Sequence, residues 1–170
     1  MQLPRRRSVP ADVKQALPLV HGERISAASR DADERWYVGT SAALFVPDGS
    51  SYRRIPWEKI ERAEWQQDSE RLLVEEVAEF GQPQRRTYAQ LLDGQTLLQL
   101  VRERVTASVV LTRFTPVRGA RGISVIGRRA PGSNGPVDWS VQFDPEVSPE
   151  DPLARAAAEQ ALAEAQRELG

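Results

Sequence analysis

His21 is the first residue to weigh for chemistry, because imidazole is the side chain that most often transfers protons near neutral pH. It is the one histidine in 170 residues, and cysteine is absent. These counts exclude zinc sites made of thiolates or histidine pairs, and they exclude a cysteine nucleophile. The sequence also lacks the Gly-x-Ser-x-Gly pattern that places a serine on a strand-to-helix turn. A hydrolase that uses His21 is therefore a remote alternative, and we expect this residue in a surface turn.

Asp31, Asp33 and Glu34 lie together, and hard cations accept carboxylate oxygens. A calcium loop of the EF-hand type would also need a central glycine and a bidentate glutamate at its twelfth position. Here Arg30 and Arg35 flank the acids instead. The pattern predicts a solvated hairpin and no metal site.

Glu75 and Glu76 invite an acid–base interpretation, because paired carboxylates can share proton transfer when one of them is buried. They are adjacent in a predicted strand, so their side chains must point to opposite faces. They cannot converge on one substrate atom, and we expect a solvated strand edge here.

Phosphate-binding patterns are absent, since no Gly-rich fingerprint opens a helix or follows a strand in the required spacing. The nearest element is the run from Arg118 to Gly122, in which Arg118 and Arg121 could offer guanidinium groups to an anion. This run joins two predicted strands rather than opening a helix, so we interpret it as a hairpin turn, with an anion site as the alternative. No cofactor is expected.

Tryptophan side chains could instead form a stacking surface or a peptide groove. Core positions are expected for Trp36 and Trp139, which share strand faces with other apolar residues. Trp57 follows Pro56 and precedes two charged residues, so it is the tryptophan that we expect to be exposed and to contact a ligand.

The charge balance limits which classes of partner are expected. The net charge is -1 with 28% charged residues, so the chain lacks the excess positive potential of most nucleic-acid binders, and nucleic acid is not an expected partner. Arginine pairs such as Arg53-Arg54 lie in predicted strands, where neighbours face opposite sides. Each pair can therefore contribute only one arginine to any single surface patch. This argues against a lipid-headgroup pocket, but Arg53 stays a candidate anion contact.

The amino terminus is basic, but Asp12, Lys14 and Gln15 interrupt what would have to be the apolar core of a signal peptide. The absence of cysteine leaves no trace of an oxidising compartment. A cytoplasmic location is the resulting expectation.

The spacing of apolar residues predicts a mainly β chain. A short helix is expected at about 8–17, and a helix with the apolar stripe Leu97, Leu98, Val101 and Val105 follows Gly94. Seven strands are expected between these helices, at about 24–29, 35–40, 43–47, 52–56, 60–66, 72–77 and 85–91.

The last third predicts a three-stranded meander at about 109–114, 123–126 and 137–143, with glycine-rich turns. A helix follows from about Asp151 to Leu169, and the run Ser148-Pro149-Glu150-Asp151 offers its cap, a proline at the first position and first-turn acids. Alanines line one face of this helix, which we expect to pack on the meander.

Seven strands followed by an amphipathic helix is the order of a pleckstrin-homology-like (PH-like) domain. Residues 24–105 resemble that pattern. The stretch 52–60, with Ile55-Pro56 followed by Ile60, is similar to a stretch of bacterial PH-like domains, as are 36–40 and 43–46. The whole chain also resembles an uncharacterised actinobacterial protein family, through residues 99–108 and 116–119. That resemblance implies no known activity.

We therefore expect an α+β, mainly β fold: a tail and short helix at 1–23, a PH-like bent sheet or barrel capped by a helix at 24–105, and a βββα extension at 106–170. The expected function is a non-catalytic binding or adaptor module for a protein or peptide partner. The alternative is an anionic lipid headgroup, or another phosphate-bearing ligand, on the arginine-rich turns, which would make a membrane surface a partner. The sequence does not determine the oligomeric state.

Overall fold

The computed structural model describes residues 8–79 and 82–169. Within them the chain is α+β and mainly β, as the sequence predicts, with three α-helices and three antiparallel sheets. The helices are α1 (Ala11–Ala16), α2 (Gln95–Ser108) and α3 (Pro152–Leu169). The strands are β1 (Ile25–Asp31), β2 (Trp36–Thr40), β3 (Ala43–Asp48), β4 (Ser51–Pro56), β5 (Ile60–Gln66), β6 (Arg71–Glu76), β7 (Arg86–Ala89), β8 (Leu91–Leu92), β9 (Val109–Arg118), β10 (Arg121–Arg128) and β11 (Asp138–Phe143).

The first sheet has the strand order β4-β3-β2-β1-β8, and its centre is buried on both faces. Successive side chains of a strand point to opposite faces. Accordingly Tyr37 belongs to the core that this sheet shares with the second sheet, whereas Trp36 and Val38 pack on the outer face. Val9 and Leu17, which flank α1, cover that outer face. The short amino-terminal helix is therefore held by its flanking residues, since none of its own is fully buried.

The second sheet has the order β5-β6-β7, and the chain leaves it to join the first. One strand at about 85–91 was the expectation, but the chain forms β7 and then β8, which pairs with β1. The prediction of a single strand is wrong because these neighbouring segments pair in different sheets. Ser29 Oγ donates a hydrogen bond of 2.6 Å to the carbonyl of Leu92 and fixes the join.

Helix α2 packs against the core between these two sheets, which confirms the predicted stripe. Leu97 and Val101 are fully buried, and Leu98 and Val105 pack against the same core. Gly39 lies beneath the helix, where an added Cβ would come within 2.5 Å of Leu100 Cδ2. An alanine at this position would therefore require the Leu100 side chain to move.

The third sheet has the order β11-β10-β9, and α3 lies on one face of it. Ile123 and Val125 of β10 pack against a stripe of buried alanines, as predicted. The helix begins at Pro152, close to the predicted start at about Asp151, but the residue that caps it is Asp151, which accepts the N–H of Leu153 at 3.0 Å. The prediction that Ser148 is the cap is wrong, because Asp151-Pro152 offers the same kind of local chemistry as Ser148-Pro149 three residues later.

Polar groups join the third sheet to β5 and the residues before it. Lys59 Nζ lies 2.9 Å from Asp138 Oδ2, and Arg128 Nη2 donates to the backbone carbonyl of Glu61 at 3.3 Å. Gln142 also donates to the Glu61 carboxylate. Burial lowers the pKa of Arg128. The junction is therefore built from hydrogen bonds and one ion pair.

Within the described residues, no helix combines the length and the apolar character that crossing a bilayer requires.

Candidate functional site

Trp57 does not contact solvent, so the expectation that it is exposed is wrong. Its exposed fraction is 0%, and its indole N–H donates to the carbonyl of Thr40 at 3.1 Å. The residue begins a 3-10 turn between β4 and β5, and its ring belongs to the core beneath α2. Lys59 is paired with Asp138, and Trp57 has no surface to offer a ligand.

Arg53 is bound to a carboxylate of the second sheet. Its Nη1 lies 2.8 Å from Glu76 Oε1, and its Nη2 donates to Thr87 Oγ1 at 3.2 Å. Arg54 points away from it toward Glu23, at 3.5 Å. Adjacent arginines thus separate to opposite faces, and the guanidinium of Arg53 already has its anion.

The turn with Arg118 and Arg121 connects β9 to β10, as a hairpin. Arg118 donates through Nε and Nη2 to Asp151 Oδ2, at 3.0 and 2.7 Å. These bonds lower the pKa of Asp151. Arg121 is exposed and forms no ion pair with the described residues. The structure therefore pairs Arg53 and Arg118 with separate carboxylates, whereas Arg121 has no ion pair with the described residues.

The acidic cluster closes a hairpin. Asp31 Oδ1 accepts the backbone N–H groups of Asp33 and Arg35, each at 3.0 Å, and its Oδ2 accepts Arg35 Nε at 2.8 Å. In the part of the chain that the structure describes, no three His, Cys, Asp or Glu side chains are arranged to hold a metal. Asp31 is buried because the turn uses its carboxylate as an internal acceptor.

The remaining candidates for chemistry are separated. His21 lies exposed in a turn. Glu75 is buried and accepts Arg86 Nε at 2.8 Å, whereas Glu76 binds Arg53. The two carboxylates point apart, but the expectation of a solvated edge is wrong for Glu75, because an arginine partner makes its burial tolerable.

A groove that sequence reasoning missed lies between the carboxyl end of β5 and the amino-terminal half of α2. We name it the β5–α2 groove. Its volume is about 710 Å³. Its lining is apolar at Leu91, Leu98 and Trp65, with polar side chains along the exposed side of the helix. The full set of lining residues is Trp65, Leu91, Asp93, Gly94, Gln95, Leu98, Gln99, Arg102 and Glu103.

Strand β5 borders this groove with an open backbone edge. It is the outermost strand of the second sheet, so every second residue directs its N–H and C=O away from β6. Arg128 binds the carbonyl of Glu61 near the beginning of β5. From Arg62 to Gln66, backbone pairing within the described residues is with β6 alone. The carboxyl half of β5 can therefore accept another strand.

Arg102 supplies the free cation of the β5–α2 groove. It is exposed and forms no ion pair with any residue that the structure describes. Glu103 accepts a hydrogen bond of 2.9 Å from Gln99, one turn away on the same helix. The periodicity of α2 marks these residues as its polar face, but the pattern does not show that Trp65 and the edge of β5 lie opposite them.

Comparison with protein-family models found none that matches the chain, and no curated protein or solved structure matches it either.

Proposed function

We propose that this protein is a non-catalytic binding module that takes an extended segment of a partner protein in the β5–α2 groove. The open edge of β5 beside an apolar wall is the observation that carries the proposal. In strand addition, main-chain hydrogen bonds supply affinity, and pockets for alternate side chains supply selectivity. Trp65 and Leu98 would hold an apolar side chain, and Arg102 would pair with an acidic one.

We further propose that residues 24–105 form a PH-like domain. Support comes from two antiparallel sheets joined where β7 passes into β8, and from the helix that follows directly and packs against their shared core. A fold of this kind does not by itself fix a ligand. The groove, rather than the likeness of fold, therefore carries the functional proposal.

The rival functions have less support. Catalysis by His21 would need a nucleophile or a second proton-transfer group beside it, and this histidine lies exposed in a turn. Binding of an anionic headgroup would need several free arginines together, whereas Arg53 and Arg118 already bind carboxylates and leave Arg121 as a single free cation among these candidates. A protein or peptide partner requires no such residues.

A selection from displayed random peptides tests this function, followed by affinity measurements on the peptides that are enriched. Leu98→Asp would place a charge in the groove wall and should weaken binding at least about tenfold, which corresponds to ~1.4 kcal/mol. Leu92→Asp is the matched control, because Leu92 is 46% exposed and does not line the groove.

Arg102→Glu gives a second variant at an exposed position, where folding is not at risk. It should weaken peptides that carry an acidic residue and spare those that lack one. Equal binding by the parent, Leu98→Asp and Arg102→Glu would show that the β5–α2 groove is not the site.

A further inference from the structure

A row of three side chains crosses the outer face of the first sheet at the end that carries its hairpin tips. Pro47 pairs with Tyr52 of β4, and the pairing of Val38 with Phe45 places Trp36 of β2 beside Pro47 on its other side. Pro10 and Val13 form a wall at the amino-terminal end of α1. Together they enclose a groove of about 420 Å³, which we name the α1–hairpin groove.

Trp36 has an unused donor in this groove. The side chain is only 8% exposed, and its indole N–H donates to no group of the described residues. The indole nitrogen is not fully enclosed, so part of the exposed area of Trp36 belongs to its N–H group. Buried tryptophans usually satisfy this donor, as Trp57 does with Thr40. A ligand carbonyl would complete the hydrogen bonding of Trp36.

The charge around the groove is negative. Asp12 and Glu34 line it, and Asp48 is exposed on the adjoining hairpin tip. Glu34 is paired with Arg30, and Asp33 with Arg35, whereas Asp12 and Asp48 form no ion pair with the described residues. The one basic side chain in the lining is Arg35, which Asp31 holds at 2.8 Å. Burial, together with the Asp12 carboxylate, raises the pKa of the Tyr52 hydroxyl in the groove floor. The local potential therefore favours a cationic ligand.

The spacing of the row matches a particular backbone conformation. Neighbouring strands lie ~4.8 Å apart, so the two spacings from Trp36 to Tyr52 span ~9.6 Å. A polyproline II helix advances ~3.1 Å per residue, so its side chains three residues apart are ~9.3 Å apart. Proline rings at such positions would fall on either side of Pro47, one against each aromatic ring.

We propose that the α1–hairpin groove binds a proline-rich segment that carries arginine, in polyproline II conformation. Aromatic-lined grooves recognise such segments because the ligand is already ordered before it binds. The arginine side chain would pair with Asp12, which forms no ion pair with the described residues, and the Trp36 N–H would donate to a ligand carbonyl. This site uses a different sheet face from the β5–α2 groove and does not depend on it.

Fluorescence anisotropy on the full chain tests the proposal, with a labelled nine-residue peptide that has two prolines three residues apart and an arginine at each end. Saturable binding is expected, and it should be lost when both prolines are alanine or both arginines are glutamate. Asp12→Lys should weaken the proline peptide about tenfold, whereas Glu150→Lys, an exposed charge reversal far along the chain, should not.

Two further pairs of variants separate the groove from general stability. Tyr52→Ala should weaken binding, and Tyr52→Phe, which keeps the ring, should not. Trp36→Phe keeps an aromatic ring but removes the N–H donor, so it should weaken binding severalfold; the smaller ring also lowers the melting temperature, so affinity is measured well below the melting transition of the variant. Leu92→Asp, at an exposed position that lines neither groove, should leave this affinity unchanged. Failure of the parent chain to bind, or equal affinity for the alanine peptide, would overturn the proposal.

Discussion

The core beneath α2 and the core beneath α3 differ in the size of the side chains that fill them. The core beneath α2 contains aromatic and branched residues, including Trp57, Leu97 and Val101. The core beneath α3 places Ile123 and Val125 of the sheet against a stripe of alanines, of which Ala154 and Ala165 are completely buried. Large side chains fill the wide space between two sheets, whereas alanines let a helix approach one sheet closely. The two cores should therefore fail under opposite kinds of substitution.

The junction between the cores uses a third kind of contact. Among the described residues, the two hydrophobic clusters share no member, and Lys59, Glu61 and Arg128 provide the polar contacts across the junction. Apolar burial is non-directional, whereas hydrogen bonds require a particular geometry. Burial thus stabilises each unit, and the polar junction sets how the third sheet meets β5 and where the open edge of β5 begins.

The largest effect is expected for a charge placed in the core beneath α2. Val101 is 1% exposed, so Val101→Asp would bury a carboxylate without a partner, at a cost of ~3–5 kcal/mol. Thermal unfolding should show a fall in melting temperature of more than about 8 °C. Thr96→Asp, at an exposed position in the first turn of α2, is the control and should be neutral or slightly stabilising. Similar melting of Val101→Asp and the parent would mean that α2 is not docked.

An intermediate effect is expected from an enlarged side chain in the core beneath α3. Ala165→Leu should destabilise the protein by ~1–3 kcal/mol, because there is no space for added methyl groups between α3 and the sheet. Ala163→Leu makes the same change on the exposed side of that helix and should stay within ~0.5 kcal/mol of the parent. Denaturant unfolding of both variants measures the contrast. If Ala165→Leu is as stable as Ala163→Leu, the alanine stripe is not a close contact.

The smallest effect concerns the ion pair between Arg118, in the β9–β10 hairpin, and Asp151, which directly precedes α3. Hydrogen bonds from Arg118 lower the pKa of Asp151 in the folded protein. A carboxyl whose folded pKa lies below its unfolded one stabilises the fold above the unfolded pKa, and this contribution is lost as pH falls through the folded value. Arg118→Gln should raise the pKa of Asp151 toward the ordinary range and flatten the acid limb of the stability profile.

NMR titration of the Asp151 carboxyl group measures this shift. Arg121→Gln is the control, because Arg121 lies in the same turn without an ion pair to the described residues. An unchanged Asp151 pKa in Arg118→Gln would show that the ion pair does not form in solution.

Most helices and strands could be predicted because apolar periodicity reports which side of each element is buried. The stripe on α2 and the alanines of α3 are examples. The split between β7 and β8 could not be predicted, since nothing local to Gln90 tells which sheet each flanking segment joins. Likewise, Ser148-Pro149 and Asp151-Pro152 both fit the start of a helix, and local chemistry does not choose between them.

The candidate site was less predictable than the fold. Trp57 has charged neighbours in sequence, yet contacts from distant strands and from α2 bury it. Conversely, Trp65 and Arg102 line one groove although they lie on different elements, and no spacing rule links them. Site prediction from one sequence fails here because the groove is made by tertiary packing of residues with ordinary local patterns.

The join between β1 and β8 has a consequence for the rate at which the protein folds. Ser29 and Leu92, which share a hydrogen bond there, lie 63 positions apart in the chain. Contacts between distant residues lose much conformational entropy before they form, and proteins dominated by such contacts fold in milliseconds to seconds rather than microseconds. On a ribosome, β1 has no β8 to pair with until the chain has been synthesised beyond Leu92. During that interval the nascent sheet has a second unpaired edge, and a chaperone or rapid synthesis of the residues up to Leu92 would limit its pairing with other chains.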